Sequence, residues 1–462
     1  MEEEPPQPDD PARDHTAAGH KRARTDSGRS TSPESLDSAQ STRTLDSDDF
    51  TFIEENGRIY GNDIYYMPCD QTEQDRLTIQ HRVFVYALKG KLSTTPMTNS
   101  MARILDLCTG PGNWAIAVAQ QFPSAEVVGI DMAVWDIETT EADAGGGRVT
   151  WEIDDLDIWG VDLNDTDDLT TRFDQYHPFF DPTERDTLDL PAKGKAAKAQ
   201  SSHAEDLYTH SESKTPFPPS PSFNPYMLEQ PGWHFSEPFD LIHMRNCKGI
   251  FAYWEDVYAE IYKNLTPGGW VEVADWELIV PTTRPNAEPE PGTSPQPGID
   301  TAPLPILRRL YLAMMEASFK SGHPLGSFYM HPTYLEDAGF KDVRTTYVNV
   351  PIGPWPNDPE QKKIGKIFLV VFYETLEAHL LRLLTKWGDK RGRWTADEVR
   401  LEIEKGKEEI KEWCEGPNDK GMGESSGVMM GIEGEGAAEG QPPEQGWCAS
   451  FKWICGRKSK NA

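Results

Sequence analysis

Two acids and two glycines at fixed spacing could do chemistry in this chain. Asp106 stands four residues before Gly110, and Gly112 follows. Glycine lets a backbone come close to a ligand, and a helix beginning just after the pair offers unpaired N–H groups. Asp131 lies about 20 residues beyond, where a carboxylate can bond both hydroxyls of a ribose. On spacing alone a dinucleotide fits equally well. Asp106 separates the two readings, because an acid at that point repels a pyrophosphate and attracts a sulfonium that also carries an amino group. S-adenosyl-L-methionine has both positive groups. The competing use of Asp106 is as a turn cap, which is frequent for Asp.

The elements that position these residues follow from apolar patterning. Ile104, Leu105 and Leu107 form a short buried-strand run, and Trp114, Ala115, Ile116, Val118 and Ala119 begin a helix. Ser124 to Asp131 reads as the second strand. Arg148 to Ile153 reads as the third, with Asp154 and Asp155 after it. Phe239 to His243 is the fourth strand, followed by Met244, Arg245 and Asn246. A helix is expected over 252–265, and Pro267-Gly-Gly269 turns the chain into a fifth strand over 270–274. Ile306 to Ser321 reads as helix and Phe340 to Val350 as the sixth strand. Lys362 to Trp387 reads as a long helix or a helix pair. Thr395-Ala-Asp-Glu398 is a capping box that opens a helix to about Cys414. Trp447 to Gly456 supplies a closing strand. Ahead of the sheet, 72–88 reads as a helix with Thr72 as N-cap.

As an ordered set, several stretches resemble the class I S-adenosylmethionine-dependent methyltransferases, and within them the fungal LaeA-type group of secondary-metabolism regulators. The stretches are Glu55-Asn-Gly-Arg-Ile-Tyr60, Glu73-Gln-Asp-Arg-Leu77 with Gln80-His81, the Asp106–Trp114 loop, Phe122 to Asp131, Glu152-Ile-Asp-Asp155, Phe239 to Asn246, Leu265 to Trp270 and Gly353-Pro-Trp-Pro356. The resemblance implies a Rossmann-like α/β sheet of seven strands, the last antiparallel beside the sixth, with flanking helices and an N-terminal helical cap. It implies that S-adenosyl-L-methionine is held by Asp106, Cys108, Thr109, Gly110, Gly112, Asp131, Met132, Asp154, Asp155, Met244, Arg245 and Asn246. In relatives an acid after the third strand contacts the adenine amino group; Asp154 and Asp155 also read as a turn or a solvated pair.

Two positions depart from the family's pattern. Cys108 stands where relatives carry glycine, and an extended backbone there would accommodate it. Pro111 stands where they carry a small polar residue, and it removes one N–H donor. No catalytic signature is visible. Methyl transfer from a sulfonium needs mainly alignment, with a base only for a protonated acceptor. His243 is the best-placed candidate base, ahead of His323 and His331, although a strand histidine is more often structural. The resemblance implies a methyltransferase acting on a small molecule or a protein, with velvet-type regulatory proteins as partners. The alternative is a regulatory protein that keeps the fold and acts through partners without catalysis.

Composition bounds the rest. The 462 residues are 37% hydrophobic, with 37 Gly, 37 Pro and a net charge of −31. So acidic a surface repels nucleic-acid backbone. Residues 1–48 have almost no apolar residues and read as a disordered tail. That tail holds the basic cluster Lys21-Arg-Ala-Arg24, a candidate nuclear localisation signal, and a Ser32-Pro33 dipeptide. Residues 49–457 read as one methyltransferase domain and 458–462 as a short tail. Interruptions of the domain are expected at about 136–147, 161–233, 281–305 and 416–446, the second being the longest. The six cysteines form no C-x-x-C pair, so no metal site is expected. Neither a signal region nor a membrane-length apolar run is present, which predicts a soluble nuclear or cytoplasmic protein.

Overall fold

The computed structural model describes residues 20–22, 42–44, 52–63, 65–135, 149–158, 232–233, 235–278, 280, 304–388, 394–415 and 447–461. Four short strands come first in the chain: β1 (His20–Arg22), β2 (Thr42–Thr44), β3 (Ile53–Glu55) and β4 (Arg58–Tyr60). β3 and β4 form a hairpin whose turn residues, Asn56 and Gly57, both have positive φ, 54° and 75°. An Asn-Gly pair is the best sequence for that turn. Helix α1 (Gln71–Ala87) follows. Its N-cap is Asp70 rather than Thr72, because the Asp70 carboxylate accepts from the Glu73 amide at 3.1 Å while pairing with Arg58 at 2.6 Å.

The sheet starts at β5 (Arg103–Leu107) and continues through α2 (Asn113–Gln121), β6 (Glu126–Asp131), β7 (Val149–Ile153) and β8 (Phe239–Arg245). Then come α3 (Trp254–Lys263), β9 (Leu265–Leu278), α4 (Pro305–Lys320), α5 (Pro332–Asp337) and β10 (Lys341–Pro351). The chain closes with α6 (Pro359–Trp387), α7 (Ala396–Glu415) and β11 (Cys448–Arg457). The expected long helix or helix pair is thus the single helix α6. The capping box before α7 forms: the Thr395 hydroxyl and amide both donate to Glu398 Oε2, and the Glu398 amide donates to Thr395 Oγ1.

Strand order across the sheet is β10-β11-β9-β8-β5-β6-β7-β1-β2. β5 to β9 are mutually parallel. β11 runs antiparallel between β9 and β10, so the expected seven-stranded sheet forms with its last strand reversed. β1 adds to the β7 edge in parallel and β2 pairs with it antiparallel. Lys21 and Arg22 of the basic cluster therefore lie on a strand, within a stretch read as a tail. The tail apart from 20–22 and 42–44, Ser32-Pro33 included, lies outside the described residues. The same holds for nearly all of the four interruptions. Trp233, placed at the end of the longest one, belongs to the core instead: it is buried, its amide donates to Glu260 Oε1 at 3.0 Å and its indole to the Leu156 carbonyl at 3.1 Å.

Helices cover both faces. α2 packs its Trp114, Ala115 and Val118 on Ile104 and Val127. α3 buries Val257, Tyr258 and Ile261 against β8 and β9. α1, α4, α6 and α7 build a larger apolar layer over β9 and β11. No described helix is long and apolar enough to cross a membrane.

Candidate functional site

β5 lies where the strand order reverses, with β6 on one side and β8 on the other. Open α/β sheets bind ligands beyond the carboxyl ends of their strands at such a point. A cleft opens there. Asp106, Cys108, Thr109, Gly110, Asp131, Met132, Arg245 and Asn246 all line it.

The loop after β5 is built from left-handed residues: φ is +56° at Cys108, +58° at Gly110 and +78° at Gly112. The extended backbone that would accommodate Cys108 does not form. The chain must turn sharply for the Thr109 amide to reach the Ile130 carbonyl at 2.9 Å, and Gly112 then bonds back to the Thr109 carbonyl at 3.1 Å. A non-glycine residue in that conformation costs about 1–2 kcal/mol. The Cys108 thiol hydrogen-bonds Cys247, and that bond, with burial, pushes its pKa well above the ordinary value. Gly112 does not line the cleft. It makes room for Trp151, since a Cβ on Gly112 would lie 2.3 Å from the indole and one on Gly129 2.5 Å from it.

Asp131 ends β6. Its Oδ2 accepts from the Gly110 amide at 2.8 Å and its Oδ1 from the Ala133 amide at 2.9 Å. Burial raises its pKa and these amides oppose the shift. Asp106 is more enclosed. Oδ2 accepts from the Thr109 hydroxyl at 2.7 Å, and Oδ1 lies 2.7 Å from His243 Nδ1. The His243 ring stacks on Trp114, with centroids 3.6 Å apart and planes 5° from parallel. His243 is fully buried and does not line the cleft, so it braces Asp106 from behind instead of facing an acceptor. His323 pairs with Asp157 at 3.1 Å, and His331 caps α5. Neither lines the cleft.

Arg245 lies over the Phe84 ring at 5.0 Å, and burial pushes its pKa down to about 10. Among the described residues no hydrogen bond or ion pair engages its guanidinium. Asn246, at φ +59°, accepts from Gln80 Nε2 at 2.8 Å, which ties α1 to the loop after β8. Met244 is buried in the core. Asp154 is buried beside the end of β6, with its amide on the Asp131 carbonyl at 3.1 Å, and Asp155 is exposed. None of these three lines the cleft.

The other walls come from α1 and α6, which the resemblance implies cover the site and the acceptor pocket, and from the segment before α1 and β9, to which the sequence assigns no site role. Residues 61–62 and 65–69 roof the cleft, and Arg382 of α6 clamps that roof through the Asn62 and Tyr65 carbonyls at 2.6 and 2.7 Å. α1 supplies Arg76 and Gln80, α6 supplies His379, and β9 supplies Asp275 and Trp276.

A model of the methyltransferase domain family matches residues 79–317. The chain belongs to that family. It is similar to the secondary metabolism regulator LAE1 of Cochliobolus heterostrophus, 26% identical over 343 residues that cover 72% of this chain and 81% of the relative. It is similar to the methyltransferase pytC of Aspergillus terreus, 25% identical over 79% of this chain and 85% of that one. It is also similar to the protein-methionine methyltransferase laeA of Emericella nidulans, 24% identical over 71% of this chain and 64% of that one. Among solved structures, phosphoethanolamine N-methyltransferase 2 of Haemonchus contortus aligns at 13% identity and a TM-score of 0.31. That alignment covers 87% of this chain and 55% of the nematode enzyme. The family membership rests on the model match and agrees with the strand order.

Proposed function

We propose that the cleft beyond β5 and β6 holds S-adenosyl-L-methionine and that the chain passes its methyl group to an acceptor, a small molecule or a protein side chain. When bound, the cofactor supplies an activated methyl group on sulfur. Asp131 holds the ribose hydroxyls. Asp106, fixed by His243 and Thr109, gives the negative field for the amino and sulfonium groups. Cys108, Thr109, Gly110, Met132 and Asn246 shape the walls. The observation that carries this reading is Arg245. It is a cation lining the cleft with no ion-pair partner among the described residues, and the cofactor's carboxylate is the complementary group. Gly112 serves by admitting Trp151, and Asp154 by anchoring Asp131's backbone; Met244 and Asp155 have no direct contact in this reading.

The likeness to LaeA-type regulators supports a role in controlling fungal secondary metabolism, in the nucleus and beside velvet-type proteins. The test is incubation with methyl-labelled S-adenosylmethionine and separate small-molecule and protein fractions of a fungal extract. Label in one fraction identifies the acceptor class. Tight cofactor binding with no label in either favours a regulator that has kept the fold and lost transfer.

A further inference from the structure

A second cavity adjoins the cleft. The two share Lys248, Trp276 and His379. Away from that junction the walls are mostly apolar: Leu307, Leu310 and Met314 from α4, Phe372 and Leu376 from α6. Methionine side chains adapt to irregular shapes, and the aromatic walls favour a flat guest.

At the junction, Lys248 Nζ is held by Asp275 Oδ1 at 2.8 Å, and the other Asp275 oxygen accepts from the Tyr329 hydroxyl at 2.6 Å. Both charges are therefore already engaged. His379 is not. Its Nδ1 lies 3.0 Å from the Thr375 carbonyl oxygen, which can only accept, so the proton is on Nδ1 and Nε2 carries the lone pair. Burial, with Arg76 and Lys248 nearby, pushes the imidazole down to about 3 and keeps it neutral. The ring retains some accessible surface and lines both cavities. A neutral lone pair there seeks an X–H donor. The two nearby cations are each neutralised, Arg76 by Glu73 at 2.5 Å and Lys248 by Asp275, so the lone pair faces surroundings of no net charge, which suit an uncharged hydroxyl.

We propose that the second cavity is the acceptor chamber and that it takes an uncharged hydroxyl compound on a flat apolar body, the hydroxyl donating to His379 Nε2. This rests on the methyltransferase reading above. His379 thereby orients the accepting oxygen at the mouth of the cofactor cleft.

The test is calorimetry on the full chain saturated with S-adenosylhomocysteine. The probes are 2-naphthol and 2-methoxynaphthalene, which lacks the donor. 2-Naphthol should bind the more tightly. His379→Asn keeps a donor for the Thr375 carbonyl and withdraws the acceptor from the Nε2 position, its own Oδ1 lying closer to the backbone, so 2-naphthol should lose about tenfold in affinity while 2-methoxynaphthalene is unchanged. Met314→Trp fills the chamber and should abolish binding of both probes with S-adenosylhomocysteine affinity intact. Two results overturn the proposal while leaving the cofactor site standing: S-adenosylhomocysteine binds and 2-naphthol does not, or His379→Asn affects both probes alike. Failure of S-adenosylhomocysteine itself to bind overturns the methyltransferase reading, and the acceptor assignment with it.

Discussion

Asp131→Ala probes the cleft at one carboxylate. In the folded chain that carboxylate takes the Gly110 and Ala133 amides at 2.8 and 2.9 Å. Alanine leaves both donors without an acceptor at a site where burial dominates. An orphaned buried donor costs about 1–3 kcal/mol, and water from the adjoining cleft brings each toward the lower end, so a stability loss of about 2 kcal/mol is expected. The bound ligand loses a charged partner for its ribose hydroxyls, worth about 1.5–3 kcal/mol, or roughly ten- to hundredfold in affinity. Titration calorimetry with S-adenosylhomocysteine, beside a thermal melt of the same sample, separates the two effects. Asp131→Asn keeps the shape but turns an amide toward a backbone N–H, and should fall between wild type and Asp131→Ala. A folded Asp131→Ala protein with wild-type affinity would refute the reasoning. Asp131 would then only tie the loop after β5 to the end of β6.

Other perturbations separate structure from chemistry. His243→Ala strands the buried Asp106 carboxylate and opens a gap beside Trp114, so about 3–5 kcal/mol of stability should be lost together with cofactor affinity; loss of turnover alone at an unchanged melting temperature would make His243 a base after all. Gly112→Ala places a methyl group 2.3 Å from the Trp151 ring at φ +78°, and denaturant melts should show a loss of about 2–4 kcal/mol. Deleting Thr183 to Ser222 should leave melting temperature and cofactor affinity nearly unchanged. Trp233 and Leu156, on either side of the interruption, are already tied by a hydrogen bond, and loop length costs only about 0.6 kcal/mol per doubling; an unfolded product would place the segment in the core. Replacing Lys21, Arg22 and Arg24 with Ala should move a tagged protein from nucleus to cytoplasm, and persistent nuclear signal would assign the import to another segment or a partner.

The sheet was legible because its signals are local. Ile104, Leu105 and Leu107 announce a buried strand, Gly110 and Gly112 a turn, and Asp131 a strand end within reach of that turn. Thr395 and Glu398 announce a helix start in four residues. What escaped depends on distance in the chain. Asp106 and His243 are paired across adjacent strands 137 positions apart, so a structural role for His243 could be read from its strand but its partner could not. The cleft wall draws on Gln80, Trp276 and His379, which no local pattern links. The backbone at Cys108 is likewise set from a distance: its left-handed conformation goes with the Thr109–Ile130 hydrogen bond, not with the residue's own preference. Asp70 displaced Thr72 as the cap of α1 because Arg58 of the β3–β4 hairpin holds its carboxylate in place.

The central claim is that the cleft beyond β5 and β6 is an S-adenosylmethionine site. Equilibrium dialysis of the purified full chain against labelled S-adenosylmethionine, with excess unlabelled NADH as competitor, tests it most directly. Saturable binding near one equivalent per chain, undisturbed by NADH, is the expected result. No retained label, or label fully displaced by NADH, would contradict the account.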